Sequence, residues 1–76
     1  MKEFLEYLLK QIVEKREAVV IEEISLEDNS FQYNIKAETA DIGKIIGKDG
    51  KIIQAIRQAA KILAVKKGIR VRIQIA

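Results

Sequence analysis

Apolar side chains recur every three to four positions at the start of the chain, at Phe4, Leu5, Leu8, Leu9, Ile12 and Val13. Glu3, Glu6, Lys10 and Glu14 fall between them. This spacing predicts a first helix over about residues 2–16, its apolar stripe turned to a core. Residues 18–26 are rich in β-branched side chains and predict a strand. Glu27-Asp28-Asn29-Ser30 is a turn cluster. Phe31, Tyr33, Ile35 and Ala37 then alternate with Gln32, Asn34, Lys36 and Glu38, the period of a strand with one buried face. The two strands and their short turn predict a hairpin. Asp41 is positioned to cap a short helix running to about Ile46. A longer helix follows over about residues 51–67, with Ile52, Ile53, Ile56, Ala59, Ala60, Leu63 and Ala64 inward. Lys66 and Lys67 suit its last turn and Gly68 its stop. Ile69, Val71, Ile73 and Ile75 alternate with Arg70, Arg72 and Gln74 in a final strand.

The order is helix, strand, strand, helix, helix, strand, an α+β arrangement. Three helices are expected on one face of a mixed three-stranded sheet, with the other face toward water. A chain of 76 residues is one domain's length. At this size roughly 60% of the unfolded chain's surface is buried, so the core is thin. Apolar residues make up 49% and charged residues 33%, the balance of a globular protein rather than a disordered one.

The chain has neither cysteine nor histidine. Disulfides and thiolate metal sites are therefore excluded, and the commonest general base and metal ligand are missing. No metal or cofactor is expected. No apolar run approaches the roughly 20 residues of a membrane span, and the N-terminus lacks the layout of a secretion signal. A cytoplasmic protein with no membrane partner is the expectation.

Charge is uneven. Residues 1–35 hold four basic and eight acidic side chains, a net of −4; residues 36–76 hold ten basic and three acidic, a net of +7. Basic charge gathered in one half of a domain suits a polyanion, though a solvated surface of uneven charge is the plainer reading.

Three of the four glycines lie within Asp41-Ile42-Gly43-Lys44-Ile45-Ile46-Gly47-Lys48-Asp49-Gly50-Lys51-Ile52-Ile53. Gly47 and Gly50 flank only Lys48 and Asp49. A four-residue corner between helices needs backbone angles that glycine tolerates, which explains the pair structurally. The same corner suits phosphate. It bares backbone and opens a helix whose first N–H groups are unpaired. Lys44, Lys48 and Lys51 surround it with positive charge. Ile46 and Ile53 bracket the turn and are expected to line an apolar trough for unstacked bases. Asp49 is awkward beside phosphate and is expected to cap the next helix.

Ile46-Gly47-Lys48-Asp49-Gly50-Lys51-Ile52-Ile53 resembles the Ile-Gly-x-x-Gly-x-x-Ile signature of KH domains, and the element order resembles the prokaryotic, type II arrangement. Starting with Met and stopping at the last strand, the chain resembles the small single-KH bacterial proteins of the KhpA family, here a single KH domain over residues 1–76. The resemblance implies a non-enzymatic RNA chaperone or post-transcriptional regulator, linked to cell shape and division, that grips short single-stranded RNA through its GxxG loop. By position it implies an RNA site of Gly43, Lys44, Ile46, Gly47, Lys48, Asp49, Gly50, Lys51, Ile53, Gln54 and Arg57, with no catalytic or metal-binding residues. It also implies that the middle strand, from Tyr33 to Ala37, forms the far wall. Homodimers, and heterodimers with a KhpB (Jag/EloR)-type KH protein, are implied partners. Gln58 and Lys61 extend the polar stripe of the second helix. Arg70 and Arg72 are expected to project from the face remote from the cleft, and Tyr7 and Tyr33 to pack. Gly47→Asp is expected to abolish binding with the fold nearly intact.

Three other readings compete. A helix-turn-helix DNA reader needs an exposed recognition helix, but here the second helix is apolar over much of its surface. Single-stranded DNA stays open as a ligand, as does a dimerising interaction module with secondary RNA binding. A Walker loop fails on spacing: six residues separate Gly43 from Gly50, and Ile52 stands where a hydroxyl is needed. Catalysis is not expected.

Overall fold

The computed structural model describes residues 1–75. Its elements run α1 (Lys2–Ile12), β1 (Val20–Ser25), β2 (Ser30–Lys36), α2 (Thr39–Ile46), α3 (Lys51–Lys67) and β3 (Arg70–Ile75), with single 3-10 turns at Arg16–Ala18 and Lys48–Gly50. The α+β order is the one expected.

Helix α1 is shorter than its apolar stripe suggests. The last helical bond runs from the Val13 N–H to the Leu9 carbonyl, and Val13 itself is extended, with φ −84° and ψ 156°. The next two main-chain donors, Glu14 and Lys15, point instead at the carboxylate of Asp41, 3.2 and 3.1 Å away. A tertiary acceptor thus replaces continued helix, and β1 starts only at Val20. The hairpin turn carries two consecutive left-handed residues, Asp28 (φ 55°) and Asn29 (φ 57°), closed by the Ser30 N–H on the Glu27 carbonyl. This is the twist-matched two-residue turn for which short polar side chains are suited.

Sheet order is β1-β2-β3. Strands β1 and β2 are antiparallel, pairing Ile21 with Ile35 and Glu23 with Tyr33; β2 and β3 are parallel, pairing Tyr33 with Ile73. Alternation gives the sheet two unlike faces. Ile21, Tyr33, Ile35 and Ile73 form one core with Leu5, Leu9 and Val13 of α1 and its exit, Ile45 of α2, and Ile53, Ile56 and Ala60 of α3. On the other face the Asn34 amide donates to Glu22, and the Gln32 amide donates to Asn34 and Gln74. Helix α3 ends as expected at Gly68, left-handed at φ 71°, with the Ile69 N–H on the Ala64 carbonyl.

Two local expectations are corrected. Glu38, not Asp41, precedes the first turn of α2, and it offers no side-chain cap. Ile52 is 38% exposed, so the inward stripe of α3 begins at Ile53.

Candidate nucleic-acid interface

The corner between α2 and α3 is built from left-handed backbone. Gly47 (φ 75°, ψ 175°), Asp49 (φ 56°, ψ 26°) and Gly50 (φ 73°, ψ 15°) all have positive φ. At Gly47 glycine is required twice over. Its angles fall in a region essentially closed to other residues, and a Cβ there would lie 2.5 Å from Cγ1 of Ile52. At Gly50 a Cβ would meet nothing within 4 Å. The expected insensitivity of the fold to Gly47→Asp is therefore wrong; at Gly50 a side chain meets open space and costs only the strain of φ 73°.

Asp49 does not cap α3. Gly50 holds the cap position, with no side-chain hydrogen bond, and Asp49 turns away on left-handed backbone. No side chain caps the opening turn of α3 and no acidic residue lies in it; its first amide, that of Lys51, donates to the Lys48 carbonyl inside the corner. That end carries the positive pole of 17 aligned peptide units. Lys48, Asp49, Lys51, Gln54 and Arg57 are all exposed around it.

The positions picked from the motif divide into groups. Ile46 (37% exposed) ends α2 beside the loop, and the exposed isoleucine on the far side of the loop is Ile52, not Ile53. Ile53 is 6% exposed and belongs to the core. Gly43 and Ile46 lie on one side of α2; Asp41 and Lys44 lie on the other, roughly 160° away at about 100° per residue. The Lys44 ammonium is 2.6 Å from Glu14 Oε1 and 3.9 Å from Asp41 Oδ1. Asp41 is the one buried charged residue among those described. Hydrogen bonds from the Lys15 and Glu14 main chain hold its carboxyl below the usual 3.8, outweighing burial, and Lys44 adds to the effect.

A groove runs along the other side of α3. Its cavity of about 640 Å³ is lined by Arg57, Lys61, Val65, Arg70, Arg72 and Gln74, among others. Here the expected far wall is corrected. Strand β2 is central, paired on both edges, and its Tyr33 and Ile35 are buried. The strand beside α3 is β3, whose outer edge has no strand partner among the described residues. Arg57 reaches that edge, donating from Nε and Nη2 to the Ile73 carbonyl at 3.3 and 3.2 Å. Lys61, Arg70 and Arg72 all contribute to the groove's lining, but alternation with the buried Ile73 and the pairing of Arg72 with Gln32 keep Arg70 and Arg72 on the open face of the sheet, as expected. The pattern that could have found the groove is the basic-apolar alternation of residues 69–75 placed on an edge strand, but strand order is not written in alternation.

The tyrosines differ. Tyr33 packs as expected, donating its hydroxyl to Glu23 Oε2 at 2.8 Å; burial, that bond and the Glu23 charge push its pKa up to about 12. Tyr7 does not pack: it is 65% exposed on α1. Among the described residues no group of three or more acidic side chains gathers as for a metal ion, and no helix is long and apolar enough to cross a membrane.

This element order, with a Gly-x-x-Gly corner joining two helices over a mixed sheet, defines a KH domain. A family model described as the KhpA/KhpB KH domain matches residues 2–75. The RNA-binding protein KhpA of Chlamydia trachomatis serovar D is 40% identical over 75 residues, covering 99% of this chain and 95% of its own. That of Clostridium perfringens is 39% identical over 75 residues, 99% of each chain. That of Thermotoga maritima is 40% identical over 57 residues, 75% of each. No solved structure matches. The chain belongs to the KhpA/KhpB KH-domain family.

Proposed function

We propose that the chain, as one KH domain, is a cytoplasmic RNA-binding protein and not a catalyst, acting as an RNA chaperone or post-transcriptional regulator. Its relatives are named RNA-binding proteins. Single-stranded RNA lays its phosphates over Gly47, Lys48, Asp49 and Gly50 and the opening turn of α3. From there it follows the groove between α3 and the free edge of β3. Lys48 and Lys51 neutralise phosphate at the loop. Gly43, Ile46 and Ile52 give bases an apolar floor, and Gln54, Arg57 and Lys61 edge the path. The observation that carries this reading is the N-terminus of α3 with no side-chain cap, opened by two left-handed glycines beside a basic groove. Arg57 lies six residues into α3 from Lys51, about 9 Å along its axis, so loop and groove are within one short oligonucleotide.

Fluorescence anisotropy with labelled single-stranded RNA, single-stranded DNA and duplex DNA of one sequence tests it. Binding of the single strands, falling as salt rises and lost in Gly50→Asp, is expected. A folded Gly50→Asp protein that binds RNA undiminished overturns it.

A second role rests on α3, where Ile62 and Val65 are 62% and 70% exposed. This pair supports self-association, or pairing with a KhpB-type KH protein. Light scattering on the wild type and on Val65→Glu tests the homodimer, which the variant is expected to lose.

A further inference from the structure

We propose that Asp41 and Lys44 are positioning residues: together they latch α2, and with it the glycine corner, onto the connection between α1 and β1, and Lys44 neutralises no RNA phosphate. Lys44 sits inside the motif and carries the charge expected of a phosphate contact, yet its ammonium faces Glu14 and Asp41 on the side of α2 turned from Gly43 and Ile46. Asp41 accepts main-chain N–H groups from Glu14 and Lys15, residues 27 and 26 positions away in sequence. With the Lys44–Glu14 pair these are the hydrogen bonds that join the α1–β1 connection to α2 among the described residues. Buried charge is retained where it is compensated, and here two main-chain donors, a lysine and the first turn of α2 all compensate one carboxylate.

The lever is short. Helix α2 has eight residues, of which only Asp41 and Ile45 are buried, so these two set its direction. The Gly47 N–H bonds the Gly43 carbonyl at 2.9 Å, continuing α2 into the corner. From Asp41 to Gly47 the axis spans about 9 Å, with only Ile45 anchored between them, so a tilt at the first is carried to the second.

The phosphate half of the proposal rests on the RNA-binding reading; the latch half does not. Two measurements separate them. The first is the slope of log Kd against log salt for a fluorescein-labelled mixed-sequence decaribonucleotide. Lys48→Met is expected to reduce the slope by about 0.7, one phosphate's share on a single strand. Lys44→Met is expected to leave it unchanged, and a Lys44→Met slope reduced as much as that of Lys48→Met overturns the assignment. The second is the amide spectrum of the free protein. Asp41→Asn is expected to move the signals of Gly47 to Lys51 as well as those of Glu14 and Lys15. Changes confined to residues 14 and 15 overturn the latch. Should Asp41→Asn not fold, the Lys44→Met spectrum gives the same reading, with Asp41's main-chain bonds intact. If Lys48→Met leaves the slope untouched, the RNA-binding reading is at fault, and the spectrum still decides the latch.

Discussion

Replacing Gly47 by alanine isolates the demand that the corner makes on its backbone. At φ 75° and ψ 175° the residue occupies a region where a side chain costs about 1–3 kcal/mol. The new Cβ would also lie 2.5, 2.8 and 2.9 Å from Cγ1, Cβ and Cδ1 of Ile52. One of these atoms is anchored directly to the α3 backbone, so no rotamer change relieves all three contacts; overpacking of this kind costs about 1–3 kcal/mol more. A combined loss of about 3 kcal/mol is expected, a large share of the roughly 4–11 kcal/mol typical of a chain this long. Gly50→Ala is the matched control. Its backbone is left-handed too, but its Cβ meets nothing, so about 1–2 kcal/mol is expected. Ile52→Ala in the Gly47→Ala background removes two of the three clashing atoms and should recover part of the loss. Urea denaturation followed by circular dichroism measures wild type, Gly47→Ala, Ile52→Ala and the double variant as a double-mutant cycle, with Gly50→Ala alongside. Equal losses at Gly47 and Gly50, or an additive cycle within about 0.3 kcal/mol, would refute the steric argument.

Other outcomes follow from the same geometry. Because the folded-state pKa of Asp41 is depressed, its contribution to stability is present above the ordinary value of 3.8 and is lost as pH falls through the folded value; Asp41→Asn should flatten that acid limb in pH-dependent denaturation. Tyr33 is the opposite case: its raised pKa stabilises the fold below pH 10.0 and this is lost as pH rises toward about 12, so Tyr33→Phe should blunt alkaline unfolding while costing about 0.5–1.5 kcal/mol at neutral pH. Ile45→Ala should cost about 2–5 kcal/mol by thermal or urea unfolding, since Ile45 is fully buried and is one of only two buried residues of α2. Arg57→Met, which frees the Ile73 carbonyl, should weaken RNA binding in anisotropy titrations while leaving the urea midpoint nearly unmoved, because Arg57 is exposed.

Periodicity carried most of the fold. The alternation at residues 31–37 and 69–75 marks two strands, and the hairpin turn is visible in Asp28-Asn29, because these follow from side-chain period and local turn chemistry. What periodicity cannot carry is a contact between distant residues. The end of α1 at Ile12 depends on an acceptor at Asp41 near the middle of the chain. That contact also explains why Asp41 does not cap α2. The corner itself was legible from the spacing of Gly47 and Gly50. Its neighbours were less so, since one position of slip on a helix exchanges Ile52 for Ile53, exposed for buried. The groove was least legible: that β3 is the edge strand beside α3 is not written in its alternation.

Chemical-shift mapping of the labelled protein with a short oligoribonucleotide addresses the site most directly. Shifts concentrated at Gly47 to Lys51 and continuing through Arg57, Lys61 and Ile73 are expected, with the hairpin turn at Asp28-Asn29 silent. A protein that remains folded while shifting only at the hairpin or on the open face of the sheet, with the glycine corner still, would contradict the account.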